Sequence, residues 1–418
     1  MFRRSVFRIM PQIDLIALTK GLGYTSIVEG ILHAKLNIGF IEESMCALKL
    51  VVAPENKLVQ AYAKWEFSKE KGKYEGEITK SITLFYTDKG EYYNLLPIAN
   101  EAETRGYKVK FTDDIFERAE IGIYCQHVCH PENAKFSLIL LHDMAQGHNR
   151  WSNLWELEQW NEFDIGILPG ETWARLWKQC GELYYANPRR GVYAFGYPKS
   201  DIVISEEVKT RSRLLKEELG LKYDFSVLYA PSWENDEKED DFVLALASLP
   251  VNLLIKQAHW STAYQFVIDN IGKMRALHEG KYENVYYIDP KESIMTALEL
   301  CDMVVSDESS VMAEAVLFNK ISVAVTDWTI PDTVPPRLAC VPMNYVIRCK
   351  KVELRECVDN IYHGRLNYEL QLKMGREIFG NQGSVCKYIL DAIDYYLGFA
   401  NDEVFKKFRL IPDYLPVV

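Results

Sequence analysis

The stretch VVSDESSVMAEAVLFNK, residues 304–320, runs from an apolar strand through four polar residues into a helical pattern. The polar residues, Asp307 to Ser310, fall where the strand gives way to the helix. A serine there can act as an ordinary N-cap. The free N–H groups and positive dipole of a helix start, with two hydroxyls beside them, can also receive a diphosphate. The stretch therefore predicts a strand–helix unit, and both a cap and one wall of a ligand site remain open.

The same alternation of short apolar runs and helical patterns extends outward from this stretch and predicts parallel sheets. In the second half, a charged helix at 205–220 ends at Gly220, a residue suited to a left-handed C-cap. Strands are predicted in the second half at 226–230, 251–256, 284–289, 302–306 and 321–326. In the first half they are predicted at 82–86, 107–113, 121–127, 136–143 and 163–170.

These patterns predict an α/β protein with two facing Rossmann-like domains and a ligand cleft between them. The predicted division is a helical N-terminal extension at 1–79, a first domain at 80–202, a second domain at 203–400 and a tail at 401–418. The acidic run at 234–241 is interpreted as a solvated loop.

Composition narrows the class of protein. The chain has 418 residues, of which 48% are hydrophobic and 26% charged, as in soluble globular proteins. A formal charge of −11 argues against nucleic-acid binding. Nine cysteines without a disulfide-like spacing, no apolar run of membrane-spanning length and no secretory signal favour a cytoplasmic location.

Polar residues also end two other strands of the predicted second sheet. Ser232 and Trp233 follow one, and Lys256 and His259 follow the other. A cation there could neutralise charge on a leaving diphosphate, although a single histidine is often structural. In the 304–320 stretch, Glu314 lies one turn after Ser310 and could accept hydrogen bonds from ribose hydroxyls.

The first half offers one candidate general base. His142 and Asp143 end a very apolar strand, so His142 is expected at the inner rim of the cleft with the carboxylate fixing its tautomer. His148 on the same loop is an alternative. The cysteines and histidines of YCQHVCHPEN, residues 124–133, lack metal-site spacing, so no metal site is predicted. Neither a phosphate-binding P-loop nor a dinucleotide fingerprint is present.

In order and spacing, several segments resemble the CDP-glycerol glycerophosphotransferases of teichoic-acid and capsule synthesis. The resemblance covers about residues 135 to 395, and GYPKSD (196–201), which contains Pro198, and SDESSVMAEA (306–315) are its most specific parts. The other matching segments are LLHDMAQG (140–147), FDIGILPG (163–170), LYAPSWE (228–234), IKQAH (255–259) and GNQGSVCKYILDAI (380–393).

The resemblance implies a GT-B pair of domains and a metal-independent transfer of polyol phosphate from a CDP-linked donor, without a cofactor. Ser309 and Ser310 would hold the diphosphate with His259, and Glu314 would lie near the ribose. His142 would take the proton of the acceptor hydroxyl. The donor site is expected to include Asp307, Ser232, Trp233, Lys256 and Pro198 as well.

Two positions depart from the family pattern, which has His-Gly at 142–143 and His-Pro at 259–260, and they leave the polyol and acceptor open. The resemblance implies a lipid-linked or polymeric glycan acceptor at the inner membrane face. Residues 1–79 are interpreted either as an acceptor- or membrane-facing extension or as a dimerising arm, and the chain length favours a single addition over polymerisation. Two alternatives are a GT-B glycosyltransferase or UDP-N-acetylglucosamine 2-epimerase-like enzyme, and a non-catalytic nucleotide-binding partner.

Overall fold

The computed structural model describes residues 77–412, except for 126–128, 143, 145–159, 182–183, 204, 261–263 and 342. Of the predicted N-terminal extension, only residues 77–79 fall within this range. Of the predicted tail, residues 401–412 do.

The first domain is built on a six-stranded sheet in which every strand pair is parallel. Its elements are β1 (Ser81–Phe85), α1 (Lys89–Thr104), β2 (Lys108–Thr112), β3 (Ala119–Cys125), β4 (Ala134–Leu140), β5 (Ile165–Ile167), α2 (Glu171–Cys180) and β6 (Gly191–Tyr193). The strand order is β2-β1-β3-β4-β5-β6. Its central strands are almost wholly buried, as their continuous apolar runs predict.

The second domain repeats this architecture. Its elements are α3 (Glu206–Leu219), β7 (Ser226–Tyr229), α4 (Lys238–Leu246), β8 (Asn252–Ile255), α5 (Gln265–His278), β9 (Val285–Tyr287), α6 (Ile294–Leu300), β10 (Met303–Ser306), α7 (Val311–Ala315), β11 (Ile321–Val325), β12 (Thr329–Ile330), β13 (Arg337–Leu338), β14 (Ile347–Cys349), α8 (Leu354–Tyr362) and α9 (Glu369–Arg376). The chain then continues into α10 (Val385–Tyr396). The parallel sheet has the order β14-β11-β10-β7-β8-β9, and β12 and β13 form a small antiparallel hairpin. The predicted α/β fold with two parallel sheets is confirmed. Gly220 ends α3 in the left-handed conformation, with φ 60°.

The order of the second sheet reverses direction between β7 and β10. Connections after β7 proceed to one side through β8 and β9, and then return to β10 on the other side. A crevice opens at such a point because the loops after the two strands diverge to opposite faces. The loops after β7 and β10 are the segments 230–234 and 307–310, so the topology brings these two polar segments together.

The end of the chain returns to the first domain. Helix α10 packs its apolar face, including Val385, Ile389 and Ile393, into the core formed by β1, β3 and α1. Both oxygens of Asp201 accept hydrogen bonds from the first turn of α10, from the N–H groups of Val385 and Cys386 at 3.1 and 2.8 Å. The predicted domain division differs here, because it assigned residues up to 400 to the second domain.

The segment that leads into α10, around residues 378–380, passes so close to the first domain that two positions there require glycine. A Cβ at Gly170 would lie 2.0 Å from the carbonyl oxygen of Ile378, and one at Gly196 would lie 2.3 Å from that of Gly380. Gly196 also has a φ of 120°, a value that few other residues adopt. The turns after β5 and β6 therefore pack directly on the backbone of the returning chain.

Candidate active site

A cleft of about 660 Å³ lies between the carboxyl ends of the two sheets. Both domains line it, and the loops after β7 and β10 form much of its second-domain wall. The structure brings together eight of the residues predicted from the sequence: His142, Ser232, Trp233, Lys256, His259, Ser309, Ser310 and Glu314. Pro198 and Asp307 do not line it. Asp143 and His148 lie outside the described residues.

Lys256 is a buried cation on the cleft wall, at the end of β8. Its Nζ donates to the carbonyl oxygens of Pro290 and Gln257, at 2.9 and 3.2 Å. Within the described part of the chain it forms no ion pair with a carboxylate. Burial lowers its pKa to about 8, an effect that Glu292 and Asp289 oppose and the Lys199 ammonium reinforces. A buried ammonium with only carbonyl partners favours an anion in the adjoining space.

The two serines after β10 differ in their partners. The Ser309 hydroxyl accepts from the N–H of Val311 at 3.3 Å, and therefore satisfies one free donor at the start of α7. The Ser310 hydroxyl makes no capping bond and instead accepts from the N–H of Met144, in the first domain, at 3.1 Å. Ser310 thus bridges the two domains rather than capping the helix through its side chain. Helix α7 is only five residues long before it tightens into a 3₁₀ turn.

Glu314 joins the second domain to the first. Its Oε1 accepts from the hydroxyl of Tyr197 and from Nζ of Lys199, both at 2.7 Å. All three side chains are at least 95% buried, and all three line the cleft. Sequence reasoning missed Lys199 and Tyr197. The only signal for them was the GYPKSD motif, whose specificity did not reveal which of its side chains face the cleft.

Asp307 is fully buried behind the cleft. Its carboxylate pairs with Nζ of Lys238 at 2.8 Å, and accepts from the N–H groups of Ser232 and Glu308, each at 2.7 Å. Burial alone would raise the pKa of Asp307, but the Lys238 ammonium and these bonds lower it below its usual value. The prediction that Asp307 binds the donor directly is wrong, because this residue fastens the loop that presents Ser232 and Trp233.

Pro198 has a similar supporting position. It is buried at the first residue of a 3₁₀ turn, Pro198–Asp201, where its fixed φ suits the start of a helical turn. Its neighbours Tyr197 and Lys199 reach the cleft while Pro198 does not. Its predicted donor-binding role is therefore not supported, and it shapes the turn that carries Lys199.

The interpretation of 234–241 as a solvated loop is also wrong. Residues 238–246 form α4, and Glu234, Lys238 and Glu239 are at most 1% exposed. The amide of Gln257 donates to both Glu234 and Glu239, at 2.8 and 2.9 Å. Burial raises the pKa of Glu234 to about 7, because only neutral donors such as Tyr229 and this amide stabilise its charge. This buried network lies immediately behind Trp233 and Lys256.

His142 faces the second-domain wall from the first domain. Its Nε2 lies beside the start of α1, 3.6 Å from where a Cβ of Gly90 would be, so glycine leaves room for the ring. Asp88 caps this helix by accepting from the N–H of Glu91 at 2.9 Å. His142 thus occupies the cleft rim predicted from its position after β4.

An aromatic cluster extends the second-domain wall outward. The ring of Trp233 lies 4.7 Å from that of Trp260 and 5.6 Å from that of Tyr264, measured between centroids. Phe266 completes the cluster, with its ring nearly parallel to Trp233 at 6.3 Å. His259 is exposed at the same wall.

Residues 142–334 match the family model of CDP-glycerol:poly(glycerophosphate) glycerophosphotransferase. The predicted family resemblance is confirmed. The matched segment starts at His142 and includes both loops at the reversal point of the second sheet. It confirms the enzyme class, a CDP-glycerol-type glycerophosphotransferase. No curated protein matches the chain.

Solved structures with the same fold include the wall teichoic acid polymerase TagF, at a TM-score of 0.58 and 14% identity. The match covers 87% of this chain and 99% of that one. A TagF variant soaked with CDPG gives a TM-score of 0.56 at 14% identity, with the same coverage. A UDP-N-acetylglucosamine 2-epimerase from Listeria monocytogenes gives 0.52 at 12% identity, covering 81% of this chain and 100% of that one. At these identities the likeness shows the fold, a GT-B-like pair of domains.

In the described part of the chain, every helix is too short or too polar to cross a membrane.

Proposed function

We propose that the chain transfers a polyol phosphate, glycerol phosphate first among the candidates, from a CDP-linked donor to a hydroxyl of a lipid-linked or polymeric envelope glycan. The observation that carries this proposal is the pairing of Lys256 and His142 across one cleft. Lys256 is a buried cation on the second-domain wall that pairs with no carboxylate of the described residues, and His142 is a potential base on the first-domain wall.

The donor's diphosphate binds against the second domain. Lys256 supplies the charge, and His259 lies at the same wall. Ser232 lines the same wall, and we assign its hydroxyl as a donor to a phosphate oxygen. The Ser309 hydroxyl proton is likewise available, since its oxygen already accepts from Val311. Such fixed donors stabilise the charge that develops on the departing CMP.

The acceptor enters from the side of the first domain. Its hydroxyl oxygen attacks the phosphorus nearest the polyol, and the bond from that phosphorus to the CMP oxygen breaks. His142 takes the hydroxyl proton, so the products are a phosphodiester and CMP. Asp143 is retained as the proposed partner of His142. The chain's part in the reaction is positioning, proton transfer and charge stabilisation.

With a lipid-linked acceptor, the enzyme would act in the cytoplasm, at the inner face of the membrane. We propose peripheral contact with lipid, which co-sedimentation with anionic vesicles tests. Self-association through residues 1–79 is a second proposal, and sedimentation velocity of the full chain against a chain starting at residue 77 tests it.

A donor screen tests the proposed function. The full chain is incubated with CDP-glycerol, CDP-ribitol or UDP-N-acetylglucosamine and a membrane fraction that supplies acceptor, and released nucleotide is quantified. We expect CMP from a CDP-polyol, with polyol phosphate appearing in the acceptor fraction. Turnover of the UDP-sugar alone would favour the glycosyltransferase or epimerase alternative. Binding of a CDP-polyol without any turnover would favour a non-catalytic nucleotide-binding partner.

A further inference from the structure

The carboxylate of Glu314 is held asymmetrically. Oε1 receives both hydrogen bonds, from Tyr197 and from Lys199, and Oε2 makes none within the described part of the chain. Since Glu314 lines the cleft, the oxygen left for a ligand is Oε2. Glutamate side chains rotate freely in water, so two bonds to one oxygen fix the direction in which the other oxygen points.

The groups that fix Glu314 belong to the opposite domain. Tyr197 and Lys199 flank Pro198 at the 3₁₀ turn after β6, and Asp201 at the end of this turn holds the first turn of α10. Gly196, immediately before Tyr197, packs on the backbone of Gly380. The turn is thus fastened on both sides, and it offers Glu314 a rigid pair of donors.

Burial makes this arrangement selective for hydroxyl ligands. The Lys199 ammonium lies 2.7 Å from Oε1 and pairs with the carboxylate of Glu314, a residue that is only 4% exposed. A carboxylate oxygen beside an ammonium accepts hydrogen bonds, so Oε2 suits a hydroxyl donor rather than a phosphate. On the same wall, the Lys256 and serine positions suit the phosphates.

We propose that Tyr197 and Lys199 are positioning residues that aim Glu314 Oε2 at a hydroxyl of the donor's ribose, so that the first domain sets the preference of the second for ribonucleotide donors. This inference rests on the proposed function for the identity of the nucleotide. The two residues act through Glu314 and do not touch the reacting atoms.

Deoxynucleotides test this inference without requiring turnover. Binding of CDP, 2′-deoxy-CDP and 3′-deoxy-CDP to the full chain is measured by calorimetry. We expect Tyr197→Phe to weaken CDP binding about 10-fold, since a bond to a charged acceptor is lost. One of the two deoxy compounds lacks the hydroxyl that Glu314 recognises. For that compound, Tyr197→Phe should change the dissociation constant less than about 2-fold.

Two controls separate positioning from a merely structural role. Tyr193→Phe removes a buried tyrosine hydroxyl that contacts Tyr396 at 2.6 Å, away from the cleft, and should affect all three nucleotides equally. Lys199→Arg keeps the cation and should retain more of the preference for CDP than Lys199→Met. Thermal unfolding of each variant establishes that it folds.

An equal loss for CDP and both deoxy compounds in Tyr197→Phe would overturn the inference. A wild-type chain that binds all three equally would overturn it as well. If the wild type prefers CDP but transfers no polyol phosphate from any CDP-polyol, the proposed function fails while the inference about Glu314 stands.

Discussion

Lys256 places a buried ammonium group on the wall of the cleft, and its burial affects how the cleft binds anions. The residue is 6% exposed, and within the described residues its ammonium donates to two carbonyl oxygens. The protein therefore holds a cation whose charged form is disfavoured until an anion arrives. A bound diphosphate should raise the pKa of Lys256 again, so donor binding and protonation are coupled.

The first prediction concerns the pH dependence of donor affinity. Because the pKa of Lys256 is lowered to about 8 in the free protein, the binding-competent form dominates below pH 8 and is lost above it. We expect the dissociation constant of CDP-glycerol to be flat from pH 6 to 7 and to rise about 10-fold per unit well above pH 8. Calorimetry in buffers of different ionisation enthalpy should detect proton uptake at pH 8.

Lys256→Met should bind donor weakly and lose this pH dependence. Lys273→Met, which removes an exposed lysine on α5, is the matched control and should keep it. A wild-type affinity that is constant from pH 7 to 9.5 would contradict the anion-binding role of Lys256.

The second prediction concerns the buried pair behind the cleft. Lys238→Met leaves the Asp307 carboxylate buried without its cation, so we expect the free energy of unfolding to fall by about 3–5 kcal/mol. Guanidinium-induced unfolding measures this loss. Lys273→Met breaks the exposed pair with Glu237 and should leave the unfolding free energy nearly unchanged. Similar small losses in both variants would show that Asp307 tolerates the lack of a partner.

At the scale of elements, the C-terminal part of the chain ties the two domains together, because it returns from the second domain to the first. Helix α10 closes the core of the first domain, and the segment before it crosses between the turns that follow β5 and β6. Asn381 strengthens the crossing by donating to the carbonyl oxygens of Phe195 and Ala194, at 2.9 and 3.4 Å. The site-bearing turn at 198–201 therefore depends on residues from near the end of the chain.

The third prediction follows from this crossing. Gly196→Ala places a Cβ 2.3 Å from the carbonyl oxygen of Gly380, and the returning segment must shift. We expect unfolding free energy to fall by about 3 kcal/mol or more, and donor affinity to fall with it, because the turn that carries Lys199 moves.

Gly272→Ala is the control for Gly196→Ala. Gly272 lies within α5, and no described atom lies within 4 Å of its Cβ position, so alanine should stabilise the protein by up to about 1 kcal/mol. Chemical unfolding of both variants gives the comparison. Equal stability of the two would mean that the turn and the returning chain do not pack as closely as described.

The sequence predicted those elements that carry long apolar runs. The βα units around β7, β8 and β10 lie within a residue or two of their predicted positions. Strands β6 and β14, each three residues long, were missed. Strands β5 and β9 are equally short, but they lie within longer predicted runs at 163–170 and 284–289. The destination of α10 was missed because an apolar helix face does not reveal which of two sheets it covers.

For the candidate site, position at a strand end was a sufficient guide for His142, Ser232 and Lys256. It failed for Asp307, because a carboxylate after a strand can point either to the cleft or back to a buried lysine. Lys238 could not be anticipated, since it lies in an acidic run that resembles a solvated surface. Which side chain of a polar turn faces inward depends on tertiary contacts that the local sequence does not encode.

At the scale of the whole molecule, the two domains are joined across the cleft by direct bonds. The Tyr93 hydroxyl donates to the carbonyl oxygen of Lys291 at 3.0 Å, and Ser310 and Glu314 make the contacts described above. These bonds hold His142 opposite the second-domain residues that we propose bind the diphosphate. The central claim is that the two walls have separate tasks, with donor binding on one and proton removal on the other.

Single-turnover transfer by His142→Ala tests this claim most directly. Donor affinity is measured by calorimetry, and transfer from CDP-glycerol to acceptor membranes by rapid quench. His363→Ala, which removes a partly exposed histidine at the end of α8, serves as the control.

We expect His142→Ala to bind CDP-glycerol within about 3-fold of the wild type and to transfer glycerol phosphate about 10² to 10⁴ times more slowly. His363→Ala should match the wild type in both measurements. A His142→Ala protein that transfers at the wild-type rate, or that loses donor binding instead of transfer, would contradict the division of tasks between the two walls.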